Sequence, residues 1–161
     1  MENDLISELF KQYYNEALLY VMTLCKNRAM AEDAVSHAFF KALQMADEEI
    51  RDFKPWLMAV CRNEIFAQMR KRKYLTDEEL QDDISGSEEI LERLIRQERY
   101  ISLYRAISLL KTEQRELIEL FYFSGLSVKE SAKVVGKSEA NVKVLLHRAR
   151  VELKKILEVE A

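Results

Sequence analysis

The chain has 161 residues, enough for one domain or two small ones, and a formal net charge of −3, at first sight the wrong sign for a nucleic-acid binder. Three Gly and one Pro leave little material for β-turns, and Ala, Leu, Glu, Lys and Arg dominate, so the composition predicts an all-α protein. No apolar run approaches the roughly 20 residues that cross a bilayer, which speaks against direct membrane insertion.

The first ten residues, MENDLISELF, lack a basic stretch followed by an apolar core, so no secretion signal is read there and a cytoplasmic protein is expected. Leu5, Leu9, Tyr13, Ala17, Tyr20, Val21 and Leu24 recur at helical spacing and predict a first helix over 5–25. Asn27-Arg28 breaks the pattern. A second helix is expected over 30–45, with Ala34, Val35, Ala38, Phe39 and Leu43 facing inward. The polar stretch Asp47 to Lys54 reads as a loop. Pro55 then fits the first turn of a third helix, where its missing N–H costs nothing. That helix is expected to run to about Arg72, with Trp56, Leu57, Val60, Ile65 and Phe66 on its apolar side. Tyr74 to Ser87 has few apolar residues, high charge and a Ser-Gly-Ser, and reads as a linker. The expected organisation is a domain over 1–73, a linker over 74–87 and a second domain over 88–161. In the second domain, helices are expected over 89–110 and 113–123, the latter ending at Gly125.

Charge is unevenly spread. Residues 1–73 carry 11 basic and 11 acidic side chains, residues 74–100 carry 3 and 9, and residues 101–161 carry 11 and 8. The basic excess gathers in Arg70-Lys71-Arg72-Lys73 and in Lys137, Lys143, Arg148, Arg150, Lys154 and Lys155. Two basic patches separated by an acidic stretch suggest two nucleic-acid contacts and a connection that avoids duplex DNA. Cys25 and Cys61 lack C-x-x-C spacing and read as reduced, mostly buried thiols. A metal site would require His37 and another ligand to converge with them, and none is expected.

The most informative stretch is Ser127 to Arg150, SVKESAKVVGKSEANVKVLLHRAR. Ser127 and Glu130 form a capping-box pattern that marks a helix start. Ala132 is small where two helices approach. Gly136 suits a turn that needs a left-handed backbone. Val142 and Leu145 follow at helical spacing and are expected to pack the second helix on the first. This is the pattern of a helix-turn-helix, although an ordinary αα-hairpin shares it. The start of the second helix would enter the major groove, with Ser138, Glu139, Ala140, Asn141 and Lys143 as candidate readers. Asn can read adenine and Glu can accept from cytosine N4. Lys137, Lys143 and Arg148 suit phosphates, and His147 completes the candidate set.

Both halves, in this order, resemble the extracytoplasmic-function (group IV) sigma factors of bacterial RNA polymerase, within the sigma-70 family. The resemblance rests on Ala31-Glu32-Asp33-Ala34-Val35 followed by Phe39, on Pro55-Trp56-Leu57 and Arg62-Asn63, and on Val142-Lys143 with Leu146-His147-Arg148-Ala149-Arg150 and Leu153. It implies that residues 1–73 dock on the clamp coiled coil of the largest polymerase subunit and capture the melted −10 strand. Residues 88–161 would sit on the flap of the second-largest subunit and read the −35 element as duplex. The linker would thread toward the RNA exit path. On this resemblance Glu32, Asp33, Ser36 and Phe40 become contacts to core polymerase, with Ser36 standing where the family usually has Gln. The helix dipole alone would also favour acids at Glu32 and Asp33. Phe39 is expected in the core. Arg62, Asn63, Arg70 and Lys71 become contacts to the melted strand, and Asp47 to Lys54 the base-capturing loop. Trp56 holds a family position but suits a buried tryptophan better. Ala67 replaces an Asp common in the family, and Leu145 stands where many relatives have Arg. Arg150, Lys154 and Lys155 would face polymerase or solvent.

The partners implied are core RNA polymerase, promoter DNA and an anti-sigma factor that could hold the protein at the membrane. A different class of protein, a dimeric helix-turn-helix regulator, shares the C-terminal pattern, and so does an all-helical module that binds protein only. An enzyme is not expected. Two His, no Gly-rich phosphate loop and no clustered Ser/His/Asp give no catalytic residue, no cofactor and no small-molecule substrate to assign.

Overall fold

The computed structural model describes residues 2–45, 52–75 and 101–160. Every regular element among them is helical, and the chain divides into two compact units, 1–87 and 88–161.

The first unit is built on three helices, α1 (Glu2–Cys25), α2 (Arg28–Gln44) and α3 (Phe53–Leu75), each packed on the other two. Asn27 explains the break between α1 and α2. Its side chain accepts from the Met30 N–H at 3.1 Å and so caps α2. The inner stripe of α2 is Ala31, Ala34, Val35, Ala38, Phe39 and Ala42. Four small alanines at helical spacing let α1 and α3 come close. Leu43, expected on this inner face, is instead 42% exposed, because Ala42 holds the stripe and one residue further turns the side chain about 100° outward. Leu5 is likewise exposed. The buried residues of α1 run from Ala17 to Leu24, about three turns further on.

Helix α3 starts at Phe53, two residues before the expected Pro55, and runs through Leu75, past the expected end at Arg72. The Trp56 N–H closes the first turn on the Asp52 carbonyl, so Pro55 still falls where no N–H is needed. Phe53 lies against Tyr13, Phe39 and Trp56 with ring centroids 5.8–6.0 Å apart, and Lys54 pairs with Glu16 at 2.7 Å. These contacts fix the start of α3 against α1 and α2. Trp56 is half-buried on the edge of this cluster rather than inside the core. Most of the expected loop 47–54, the linker beyond Leu75 and the first part of the helix expected over 89–110 lie outside the described residues.

The second unit contains α4 (Ile101–Ser108), α5 (Thr112–Ile118), α6 (Val128–Val135) and α7 (Glu139–Glu160). Helix α7 is its spine and packs on α4, α5 and α6. A single helix is expected over 113–123, but α5 widens after Ile118 into a π turn over Glu119–Phe123. The Ser124 N–H reaches back to the Glu119 carbonyl at 2.9 Å, and the Leu126 N–H to the Leu120 carbonyl at 3.0 Å. Gly125 ends the turn at φ +70°. The extra residue turns Tyr122 and Phe123 outward while Leu120 and Leu126 stay buried.

The helix-turn-helix forms from its local chemistry. Ser127 Oγ accepts from the Glu130 N–H at 3.0 Å and Glu130 accepts from the Ser127 N–H at 2.9 Å, a complete capping box. Gly136 takes the left-handed conformation at φ +70°, and the Lys137 N–H closes the end of α6 on the Ala132 carbonyl. Val142, Leu146 and Ala149 then pack α7 on α6 and α5, all essentially buried. Leu145, expected in that stripe, is only half-buried, on its shoulder.

Candidate nucleic-acid interface

Ser138 is the residue before α7. Its hydroxyl accepts from the Asn141 N–H at 3.1 Å and its carbonyl from the Val142 N–H at 3.0 Å, so it acts as the N-cap. Glu139, Ala140, Asn141, Lys143, His147 and Arg148 are all exposed on α7. Lys137 differs from them. Its ammonium pairs with Glu113 in the first turn of α5 at 3.2 Å, across 24 residues of sequence. Val144 stands nearly opposite Val142 around the helix, at the apex of the solvent face, and sequence reasoning missed it. The available signal was its helical offset from the buried stripe.

Arg150 points elsewhere. Its Nε donates to the Tyr122 hydroxyl at 2.5 Å, and its guanidinium lies 5.5 Å from the Tyr122 ring and 5.9 Å from that of Phe121. The π turn is what brings those rings to it. Beside Arg150 an apolar cavity of about 620 Å³ opens between Leu103, Ile107, Ile118, Phe123, Leu153 and Leu157. Nearby, burial first and the charge of Glu119 second push the Tyr104 hydroxyl up to about 12, and burial lowers the Arg115 guanidinium.

In the first unit the candidates fall on two arcs. On α2, Glu32, Asp33, Ser36 and Phe40 share the side opposite the alanine stripe, and Phe40, 55% exposed, is at its apex. Leu43 joins this arc. Glu32 is paired with Arg28 at 2.9 Å, and Asp33 accepts from Gln68 of α3 at 3.1 Å. Phe39 is in the core as expected. On α3, Asn63 and Arg70 are exposed at the centre of the solvent side, with the exposed Lys71 on one flank and the half-buried Arg62 on the other. The Arg62 guanidinium lies over the Phe66 ring, 4.7 Å from its centroid, a cation–π contact one turn along the helix. Trp56, Val60 and Phe66 are half-buried on the same side, giving an aromatic and basic surface. Arg72 turns back and donates to Met30 Sδ at 2.9 Å.

Both thiols are free, Cys61 in the core and Cys25 half-buried. No three metal-binding side chains converge among the described residues, and no described helix is long and apolar enough to cross a membrane.

Residues 9–74 match the model of Sigma-70 region 2, and residues 100–153 that of Sigma-70, region 4. The ECF RNA polymerase sigma factor BldN of Streptomyces coelicolor is 32% identical over 99% of this chain, which spans 63% of that relative's length. The ECF RNA polymerase sigma factor SigM of Bacillus subtilis is 28% identical, over 92% of this chain and 93% of its own. The chain belongs to the extracytoplasmic-function group of the sigma-70 family. Its fold agrees with that of the sigma factor RpoE of Bartonella quintana, solved in complex with the anti-sigma factor NepR. The TM-score is 0.64 at 23% identity, over 96% of this chain and 99% of the other. Within this sigma factor the region 2 match takes in all of α2, and the region 4 match covers every candidate on α7.

Proposed function

We propose that this sigma factor binds core RNA polymerase and directs initiation at promoters with a −10 and a −35 element, its two units taking different forms of DNA. The carrying observation is that one chain bears both sigma regions and that their candidate residues gather on solvent-facing arcs. The α2 arc, with Phe40 and Leu43 at its centre and Glu32, Asp33 and Ser36 around them, suits a protein partner, and we assign it to the polymerase clamp. The α3 arc combines cations with aromatic faces, which suits unstacked bases and the backbone of a melted strand. Arg62, Asn63, Arg70 and Lys71 carry that contact.

The α7 arc suits the major groove of the −35 duplex, with Glu139, Ala140, Asn141, Lys143, His147 and Arg148 as its contacts. Ser138 serves there as the cap, and Lys137 must exchange Glu113 for a phosphate to take part. The apolar cavity beside Arg150 suits the polymerase flap. The protein acts in the cytoplasm as a non-catalytic subunit, and an anti-sigma factor, such as the one bound to the Bartonella relative, is the regulator we assign to it.

Multi-round transcription from genomic fragments with bacterial core polymerase tests this reading. Discrete start sites that depend on the protein support it. Absence of such starts, together with no co-elution with core, rejects it. Arg70→Glu with Lys71→Glu is expected to abolish open complexes without weakening the association with core. Both side chains are exposed, so each substitution is expected to contribute.

A further inference from the structure

The solvent face of α7 is not uniformly polar. Val144, 46% exposed, stands at its apex, with Ala140 one turn before it and Val151 two turns after it. Packing does not require a valine there, since Val142 and Leu146 on either side of it fill the core. Helix formation does not favour one either, because β-branched side chains lose rotamer freedom in helices. Single exposed apolar residues are ordinary. This one is distinguished by its surroundings. Lys143 lies on one side of the Ala140–Val144–Val151 line, and Arg148 and Lys155 on the other, all exposed. The next turn of the same face holds His147 and Arg148, so the apolar surface at the start of the helix is the Ala140–Val144 step, flanked by cations. Such a step is complementary to a groove whose walls are phosphates and whose floor carries a methyl group. Among the bases only thymine offers one, at C5 in the major groove.

We infer that Val144 is a specificity-determining residue that packs on the 5-methyl group of one thymine in the −35 duplex. The inference rests on the reading of α7 as the major-groove helix. The small side chain of Ala140 leaves room for the groove edge to approach, and Lys143 and Arg148 hold the phosphates on either side. A polar reader such as Asn141 would then set neighbouring positions, and Val144 the requirement for thymine at its own.

The test uses holoenzyme reconstituted with the wild-type protein or with Val144→Ala, which keeps a good helix former at an exposed site. Each protein first selects its upstream element from a randomised duplex. Each thymine of that element is then replaced by deoxyuridine, which lacks only the methyl group, and promoter binding is measured. One thymine is expected whose demethylation weakens the wild type about fourfold, the worth of one buried methyl group. The same replacement should leave Val144→Ala unchanged, and its selected element should lose the preference for thymine at that position alone. A wild type insensitive to every replacement overturns the assignment, as does equal sensitivity in the variant. A holoenzyme that selects no upstream element overturns the reading of α7 itself, and the missing element tells that failure apart.

Discussion

Ser138 separates two roles that the sequence leaves merged, a DNA contact and a helix cap. Its hydroxyl accepts from the Asn141 N–H at 3.1 Å, so Ser138→Ala leaves that N–H without its protein acceptor. Loss of such a cap costs about 1 kcal/mol. For a unit the size of residues 88–161, that corresponds to a fall in Tm of about 4–8 °C. Ser138→Asp keeps an acceptor at the same place and adds a charge that the helix dipole favours, so its Tm should stay at or above the wild-type value. The assay is thermal unfolding of the full chain by far-ultraviolet circular dichroism and by tryptophan fluorescence. Trp56 is the only tryptophan and belongs to the first unit, so its transition serves as an internal control that neither substitution should move. Promoter binding should order the variants differently. Ser138→Asp places a negative charge at the groove entrance and should bind worse than its stability implies. If Ser138→Ala keeps its Tm and the exchange rate of its Asn141 amide, the cap assignment is wrong.

Two further predictions concern the cores. Ser131 is completely buried on α6 and its hydroxyl has no hydrogen-bond partner among the described residues, so Ser131→Ala should stabilise the second unit by about 1 kcal/mol in chemical denaturation, and a loss of stability would show that the hydroxyl is satisfied. Burial first and the charge of Glu64 second push the Cys61 thiol up to about 12 from 9.0. The unfolded chain therefore releases this proton near pH 9 while the folded chain retains it. The stability it represents is intact below pH 9 and is lost as the pH rises toward about 12. Cys61→Ala should flatten that alkaline decline when unfolding is followed through Trp56. An identical slope in the variant would remove Cys61 as its cause.

Features written in neighbouring residues were legible in the sequence. Asn27 before Arg28, Ser127 with Glu130, and Gly136 at the turn each act through the backbone within a few residues, and all three behave as their types require. Features that depend on a partner helix were not. Ala42 and Leu43 are adjacent and both apolar, and which of them faces the core depends on how closely α2 approaches its neighbours. The π turn over Glu119–Phe123 leaves the apolar spacing of Leu117, Ile118 and Leu120 intact, so periodicity cannot detect it. Yet it decides where Tyr122 goes, and through Tyr122 where Arg150 goes. The candidate arcs on α2, α3 and α7 were legible as residue types. What each side chain already holds was not, since Lys137 meets Glu113 and Arg72 meets Met30 only after folding.

Those prior engagements bear on how the protein can use DNA. Lys137, Arg72 and Arg150 all belong to the basic clusters that suggested nucleic-acid binding, and each is held by another part of its own unit. Glu113 already neutralises Lys137, whereas Arg72 and Arg150 meet neutral partners and keep their charge but are drawn away from the solvent face, so the cations free to meet phosphates are fewer than a count of Lys and Arg implies. Affinity from counterion release falls with that number, so weak binding by the free protein is the expected outcome, checked by titrating it onto promoter duplex, where tight salt-resistant binding would refute it. The acidic excess over residues 74–100 adds nothing that would attract a duplex. Two weak contacts become a strong one when a third body holds both at high effective concentration on the same DNA. Core polymerase supplies that body in the proposed function. On that reading the arrangement would also guard against premature binding, because a sigma factor that occupied promoters tightly on its own would block the sites its polymerase must reach.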